Sequence, residues 1–326
     1  MRIRTVLFII IQVFAFQVFA QDLGSIRTFA YQLQAGDVQT LAASPYDLII
    51  SDYSRDGSEA SRFTLDEVNQ IKTGKTGRKL VAYLSIGEAE DYRFYFKNSW
   101  LKKSRRGDCP KVPSISAPQW LGPVNANFCG NYKVRFWQAS WQKIIFGVPS
   151  GNKESYLDRI IDGGFDGVYL DIIDGFRFWD KEEGNGERPR AARDMAKFVI
   201  ALSSHARIKR GHSDFVIIPQ NGSDIIEYLT PALKTQYFAA INGIGAEDTF
   251  YFGNKDENNN LNVQDYTISY LQQYLAAGKP VFAIDYLTEE AKILDFHQRA
   301  CQLGFIPQVG KRALDSLIPQ RDMPCQ

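Results

Sequence analysis

The chain has 326 residues, 44% of them apolar and 23% charged, and this length suits one large domain or two small ones. Its 38 basic and 37 acidic residues give a formal net charge of +1 at pH 7. This balance favours neither a nucleic-acid partner nor an anionic membrane surface, because both attract a basic excess.

Residues 1–20 have the features of a secretory signal peptide. Two arginines precede a mostly apolar run from Val6 to Ala20, whose end suits cleavage before Gln21. A membrane anchor is the alternative, but the run is shorter than the ~20 residues of a membrane span and contains two glutamines. We therefore expect a secreted or periplasmic protein with no stable membrane anchor.

Eight short apolar segments are predicted as β-strands, and several of them end at an acidic residue. In chain order they are residues 29–34, 48–53, 79–87, 167–173, 215–220, 238–244, 280–285 and 304–309.

Helical patterns lie between these predicted strands. Thr64 and Glu67 form a capping box before a helix that ends near Gly74. Further helices are predicted at 190–209, at 263–277 with Tyr266 on the apolar face, and from a cap at Thr288 to about residue 303.

The alternation of strand and helix predicts an α/β fold, a (β/α)8 TIM barrel that forms a single domain over residues 21–326. A doubly wound open sheet is the main alternative, but the eight strands and the chain length favour closure. The long segment after strand 3, from Glu88 to about Asn131, is expected to be an insertion closed by a disulfide.

Four cysteines in an exported chain favour disulfides. Their positions suggest Cys109 with Cys129 and Cys301 with Cys325, although four cysteines allow three connectivities.

The acids at strand ends are the candidate catalytic residues. Asp171 ends the fourth predicted strand, Asp174 follows three residues later, and Glu247 comes after the small residues of the sixth segment. The carboxyl ends of barrel strands share one mouth, and a pair of carboxylic acids there can cleave a glycosidic bond. Asp174 could instead cap the following turn.

Glu88 follows strand 3 and is the third candidate catalytic acid, because spacing cannot choose between it and Glu247 as the partner of Asp171. Glu90 and Asp91, in contrast, are expected to be a solvated helix start.

Other polar residues near strand ends are candidates for binding sugar hydroxyls: Tyr31, Gln32, Asp52, Asp174, Asn221, Asp248, Asp285 and Tyr286. Side chains alternate in direction along a strand, so about half of them should point away from the mouth. Among the aromatic residues, Trp179 is the best candidate for stacking on a sugar ring.

Several other chemistries are disfavoured. The chain has only three histidines, none of them at a predicted strand end, and no Cys-x-x-Cys or Gly-x-Ser-x-Gly motif. Gly243 and Gly245 begin like a dinucleotide fingerprint, but no third glycine and no helix follow. We therefore expect no cofactor and no metal.

Several segments of the chain together resemble a known family. They include Tyr-Leu-Ser-Ile-Gly-Glu-Ala-Glu-Asp-Tyr at 83–92, Gly-Phe-Asp-Gly-Val-Tyr-Leu-Asp at 164–171, Pro-Gln-Asn-Gly at 219–222 and Glu-Asp-Thr-Phe at 247–250. They resemble the endo-α-1,4-polygalactosaminidase family, glycoside hydrolase family 114, over residues 29–308. The resemblance implies a secreted TIM-barrel hydrolase acting on galactosamine-containing polysaccharide, with Glu88, Asp171 and Glu247 lining its site.

The residues and the resemblance together predict a monomeric endo-glycosidase, either retaining or inverting, in which Asp171 is the nucleophile or base and Glu247 the general acid. Two alternatives remain at this point. One is a catalytically silent carbohydrate-binding barrel, and the other is a calcium-dependent barrel that uses Asp171, Asp174 and Asp285.

Overall fold

The structure is a computed structural model and describes residues 23–105, 107–147, 154–180, 184–318 and 324–325. The predicted signal peptide lies outside these residues. In chain order, the strands of the described part are Phe29–Gln32 (β1), Leu48–Ser51 (β2), Lys79–Ser85 (β3), Glu88–Glu90 (β4), Leu101–Lys103 (β5), Lys111–Pro113 (β6), Leu121–Val124 (β7), Asn131–Val134 (β8), Gly167–Asp171 (β9), Val216–Pro219 (β10), Ile244–Glu247 (β11), Val281–Tyr286 (β12) and Ile306–Gly310 (β13).

The α-helices alternate with the longer strands. Over the same described ranges they are Val38–Ala43 (α1), Leu65–Thr73 (α2), Ala139–Ile145 (α3), Tyr156–Asp162 (α4), Phe176–Trp179 (α5), Ala191–Ser204 (α6), Pro231–Ala240 (α7), Asp265–Ala276 (α8) and Glu290–Gln302 (α9). None of the helices in these ranges is long and apolar enough to cross a membrane.

Eight of the strands in the described part of the chain are parallel. They form a five-stranded sheet in the order β1-β2-β3-β9-β10 and a three-stranded sheet in the order β11-β12-β13. A parallel bridge between Gln220 and Gly245 joins the two sheets. β1 contacts β13, but no hydrogen-bonded ladder joins these two strands in the part of the chain that is described. Closure of the barrel therefore stays a prediction.

Alternate strand residues pack into one inner cluster. It includes Tyr31, Ile50, Tyr83, Tyr169, Ile218 and Ile284, which come from six different strands. The remaining strand residues face outward and join a larger cluster with the helices. This alternation, which follows from the two-residue period of a strand, decides which side chains at the strand ends point toward the mouth.

The sixth predicted strand, residues 238–244, is wrong. Helix α7 continues to Ala240, and β11 begins only at Ile244. Thr230 accepts a hydrogen bond from the Leu233 N–H and Pro231 occupies the first helical turn, so the preceding segment begins as a helix. The apolar residues that suggested a strand are the end of that helix, an ambiguity inherent in short apolar runs.

The predicted helix ends are partly confirmed. The capping box of Thr64 and Glu67 is present, and α2 ends at Gly74 as expected. Thr288 is not a cap, because α9 starts after Glu289 and the Thr288 hydroxyl accepts a hydrogen bond from Asn258 instead.

The segment between β3 and β9 carries two small antiparallel sheets, β4-β8-β7 and β5-β6. Both suggested disulfides are present. Cys109 is bonded to Cys129 within this segment, and Cys301 at the end of α9 is bonded to Cys325.

Candidate active site

Two adjoining cavities lie at the carboxyl ends of the parallel strands. The larger, of about 380 Å³, is lined by Asp171 and Glu247, and the smaller has a volume of about 280 Å³. Asp174, Asn221 and Glu247 line both cavities. We refer to the two cavities together as the cleft. The structure thus brings Asp171 and Glu247 from β9 and β11 into one space.

Asp171 is held by two hydrogen bonds at the end of β9. The Tyr83 hydroxyl donates to Oδ2 and the Ile172 N–H donates to Oδ1, each at 2.7 Å. Burial raises the pKa of Asp171 to about 8, and the charge of Glu247 adds to the rise, whereas both hydrogen bonds lower it. Asp171 therefore carries a proton at neutral pH.

Glu247 is held by residues from two neighbouring strand ends. The Tyr286 hydroxyl donates to Oε1, and the Asn221 Nδ2 donates to Oε2 at 3.1 Å. The Glu247 N–H donates a hydrogen bond to the Asn221 Oδ1 at 3.1 Å. Burial raises the pKa of Glu247, although both side-chain hydrogen bonds lower it. Two buried carboxyls that face one another share protons more readily than they ionise together.

The floor beneath the acid pair is aromatic. The Tyr31 hydroxyl donates to Gln220 Oε1 at 3.2 Å, and the Tyr31 ring lies 5.2 Å from that of Tyr169. Gly245 is required here, because a Cβ at this position would lie 1.7 Å from the Tyr169 hydroxyl oxygen. Gly245, two residues before Glu247, therefore makes room for the Tyr169 side chain.

Asp174 and Asp248 also line the cleft. Asp174 lines both cavities, and burial raises its pKa while the positive charge of Arg177 lowers it. Asp248 accepts two hydrogen bonds from the Arg312 Nη2, at 2.8 and 2.9 Å. Arg312 also lies 3.7 Å from the centre of the Tyr286 ring. The prediction from sequence missed Arg312, which follows the last strand and carries no motif.

Glu88 is fully buried in the wall of the cleft. Its Oε1 accepts from Lys133 Nζ at 2.7 Å and from Asn125 Nδ2 at 3.0 Å. Its Oε2 has no hydrogen-bond partner among the residues that the structure describes. Asn125 follows β7 and Lys133 lies on β8, so Glu88 links the small β4-β8-β7 sheet to the barrel mouth.

Asp52 and Glu90 line the cleft but are engaged by one arginine. Asp52 Oδ2 lies 2.7 Å from Arg93 Nη2, and Glu90 Oε2 lies 2.6 Å from Arg93 Nε. All three are buried. The expectation that Glu90 would be solvated is wrong, because the chain forms strand β4 here rather than a helix start.

Three of the predicted binding residues do not line the cleft. Trp179 is only 1% exposed and packs edge-on against Trp137, with ring centres 5.3 Å apart. Gln32 turns away, and its Nε2 donates to the carbonyl groups of Gln34 and Asp315 at 3.0 and 3.2 Å. A role in stacking or hydrogen bonding to substrate is therefore wrong for both residues.

Asp285 is the third predicted binding residue that does not line the cleft. It is fully buried and accepts hydrogen bonds from the backbone N–H groups of Thr249, Phe250 and Tyr251 at 2.7–3.0 Å. It therefore anchors the loop after β11 and does not converge with Asp171. Among the described residues, no group of three or more His, Cys, Asp or Glu side chains is arranged to hold a metal ion.

Three strand ends at the cleft share an unusual backbone conformation. Ile172, Asn221 and Asp248 follow β9, β10 and β11, and their φ angles are 59°, 58° and 52°. Residues other than glycine rarely adopt this left-handed region, and a β-branched residue such as Ile172 does so least of all. Such strain is concentrated at functional sites.

The comparison with protein-family models shows a family, and the relatives found by sequence are uncharacterized. The sequence model of glycoside-hydrolase family GH114 matches residues 17–325. An uncharacterized protein of Methanocaldococcus jannaschii is 37% identical over 290 residues, which cover 86% of this chain and 75% of that protein. One of Thermotoga maritima is 33% identical over 284 residues, covering 84% and 77%.

Among solved structures, a GH18 chitinase from Pseudoalteromonas aurantia aligns over 88% of this chain and 94% of its own, with 13% identity and a TM-score of 0.44. That similarity is too weak to carry an argument about this chain.

Proposed function

Since the chain belongs to glycoside-hydrolase family GH114, we propose that Asp171 and Glu247 are the acid pair with which it cleaves its glycosidic bond. The single observation that carries this proposal is that these two acids, from different strand ends, line one cavity with raised pKa values. One proton between two carboxyls provides a general acid and a base or nucleophile at the same time.

The reaction needs a proton for the leaving oxygen and a carboxylate for the anomeric carbon or the attacking water. In a retaining course the carboxylate attacks the anomeric carbon while the acid protonates the glycosidic oxygen, and water then cleaves the glycosyl-enzyme. In an inverting course the carboxylate removes a proton from water, which attacks directly. The anomer released first, measured by NMR, distinguishes the two.

The raised pKa of Asp171 favours an assignment of roles opposite to the one predicted from sequence. Each acid accepts two hydrogen bonds that stabilise its ionised form, so the distinction rests on burial and on the charge of Glu247, which together raise the pKa of Asp171 to about 8. Asp171 as the general acid and Glu247 as the base or nucleophile is the arrangement we adopt. Rescue by azide of a variant that lacks the nucleophile or base would identify that residue.

The proposed substrate is a galactosamine-containing polysaccharide. Eight carboxylic acids but only three arginines line the cleft within the described residues. The acids are Asp52, Glu88, Glu90, Asp171, Asp174, Asp224, Glu247 and Asp248. A de-acetylated amino sugar is cationic, so an acidic cleft attracts it from solution.

Release of reducing ends from partly de-acetylated galactosamine polymer tests the proposal. Asp171→Asn and Glu247→Gln should each lower turnover about 100-fold or more, because each removes a proton-transferring or attacking group. Asp66→Asn, an exposed acid on α2, is the matched control and should match the wild-type rate. Near-normal turnover of either cleft variant would remove that residue from its role, and polymer binding without cleavage would favour the silent carbohydrate-binding barrel.

The proposal also includes where the protein acts and in what oligomeric state. Two disulfides suit an oxidising compartment, which agrees with an exported protein whose residues 1–20 are removed. We expect residues 21–326 to act as one domain and as a monomer. Mass determination of the exported chain and sedimentation analysis would check these expectations.

A further inference from the structure

In the part of the chain that the structure describes, the exposed aromatic residues all lie at the cleft. Among the described residues, four aromatic side chains are at least 46% exposed: Tyr92, Phe128, Phe252 and Tyr266. Tyr92 and Phe128 line the larger cavity, and Phe252 and Tyr266 line the smaller. The exposed large aliphatic side chains, such as Leu294 and Ile208, line neither. Chance exposure would not separate the two kinds of side chain in this way.

The two aromatic pairs line different cavities, and these cavities share Glu247 of the acid pair. One pair therefore lies in the cavity that holds both acids, and the other lies in the cavity that adjoins it at Glu247. The first pair comes from the segment between β3 and β9, where Phe128 directly precedes the disulfide-bonded Cys129. The second comes from the loop after β11 and from the first turn of α8.

Part of each pair is fixed in place before any ligand binds. The Tyr92 hydroxyl donates to Glu90 Oε1 at 2.6 Å, and Arg93 lies 4.8 Å from the centre of its ring. The Tyr266 ring lies 5.0 Å from that of Tyr270, and its hydroxyl donates to Glu227 Oε2 at 3.3 Å. Aromatic rings held in this way present a flat apolar face at little cost in side-chain entropy.

We propose that these pairs are two sugar-binding platforms, which hold a polysaccharide on both sides of the bond to be cleaved. The apolar face of a pyranose ring fits an aromatic face, whereas its hydroxyl edge suits the acids between the platforms. The inference rests on the proposed function, because it takes the Asp171–Glu247 pair as the point of cleavage. It extends that function by assigning binding of the polymer to residues remote from the reacting atoms.

Phe128→Ala and Phe252→Ala test one platform each, because neither phenylalanine makes a side-chain hydrogen bond that a truncation would break. With partly de-acetylated galactosamine polymer, each variant should raise KM about three- to tenfold with kcat nearly unchanged. The double variant should raise KM more than either single variant does. Phe128→Tyr and Phe252→Tyr, which keep the ring, should restore the wild-type KM.

Leu294→Ala and Ile208→Ala are the matched controls, since these aliphatic side chains are 63% and 64% exposed and lie outside the cleft. Both should leave KM and kcat unchanged. Binding of the polymer is measured in parallel by calorimetry in the Asp171→Asn background, where cleavage is suppressed.

The outcomes separate the inference from the function. If the wild type cleaves the polymer and the platform variants have the same KM as the wild type, the inference is overturned and the proposed function stays in place. Polymer binding without cleavage, weakened in the platform variants, supports the inference and overturns the function. No binding by the wild-type chain overturns both.

Discussion

Residue scale: the acid pair determines how activity depends on pH. The pKa of Asp171 is raised to about 8, mainly by burial, so the proton needed by the leaving oxygen is present below that pH and lost above it. We predict that kcat/KM falls as the pH rises through about 8. A pH–rate profile of the wild type checks this, with Asp66→Asn expected to follow the same curve. A flat profile up to pH 10 would contradict it.

The same raised pKa should make Asp171 costly for folding. An acid whose pKa is higher in the folded state is ionised only in the unfolded chain between about pH 4 and pH 8, so stability falls as the pH rises through that window. We predict that Asp171→Asn increases the free energy of unfolding at pH 7 by about 1–3 kcal/mol relative to its effect at pH 4.

Urea unfolding of the wild type and the variant at the two pH values measures this difference. The control, Asp66→Asn, removes an exposed acid and should show no such dependence on pH. An Asp171→Asn effect that is the same at both pH values would show that the folded protein does not perturb this carboxyl.

Element scale: β12 supports the loop that follows the second acid. The Asp285 carboxylate accepts three backbone N–H bonds from residues just after β11, and an asparagine offers only one oxygen and adds two donors. We predict that Asp285→Asn lowers the free energy of unfolding by about 2 kcal/mol. It should also speed hydrogen exchange at Thr249 and Tyr251.

Glu289→Gln is the control for this variant, because Glu289 is an exposed acid just before α9. It should leave both the free energy of unfolding and the exchange rates near the wild-type values. Unchanged exchange at Thr249 in Asp285→Asn would mean that the loop is held by other contacts.

The direction of side chains along each strand explains which predicted site residues line the cleft. Tyr31, Asp171 and Tyr286 lie an even number of residues from members of the inner cluster, so they point to the mouth. Gln32 and Asp285 lie an odd number away and point outward. This alternation can be read from the sequence, but it predicts direction only if the inner face of each strand is known. A buried strand is apolar on both faces, so its sequence does not show which face is the inner one.

Whole-molecule scale: the two disulfides should have different effects on function. The Cys109–Cys129 loop carries Asn125, which holds Glu88, and Phe128, whereas Cys301–Cys325 ties the chain end to α9. We predict that replacing both Cys109 and Cys129 by serine raises KM for the polymer. Replacing the other pair should lower Tm without changing KM. Equal KM values for the two double variants would contradict this distinction.

The sequence was informative about the strands and poor about contacts between distant segments. All of the predicted barrel strands except the sixth, which shares only Ile244 with β11, lie mostly on observed strands, because buried parallel strands are apolar runs ended by turns or acids. Phe128, Tyr266 and Arg312 were not predicted as site residues. They reach the cleft from the segment between β3 and β9, from a helix and from the segment after β13, and nothing local in their sequence indicates where those segments fold back.

The left-handed backbone at Ile172 has a further consequence. A β-branched residue in that conformation costs about 1–3 kcal/mol. Glycine would avoid that strain, but it would lose the side chain that lies against Gly87 and Gly175 and would free the peptide N–H that orients the Asp171 carboxyl. The rigid peptide that fixes the carboxyl is thus held by the neighbours of an unfavourable residue, and relaxing it should slow the chemistry.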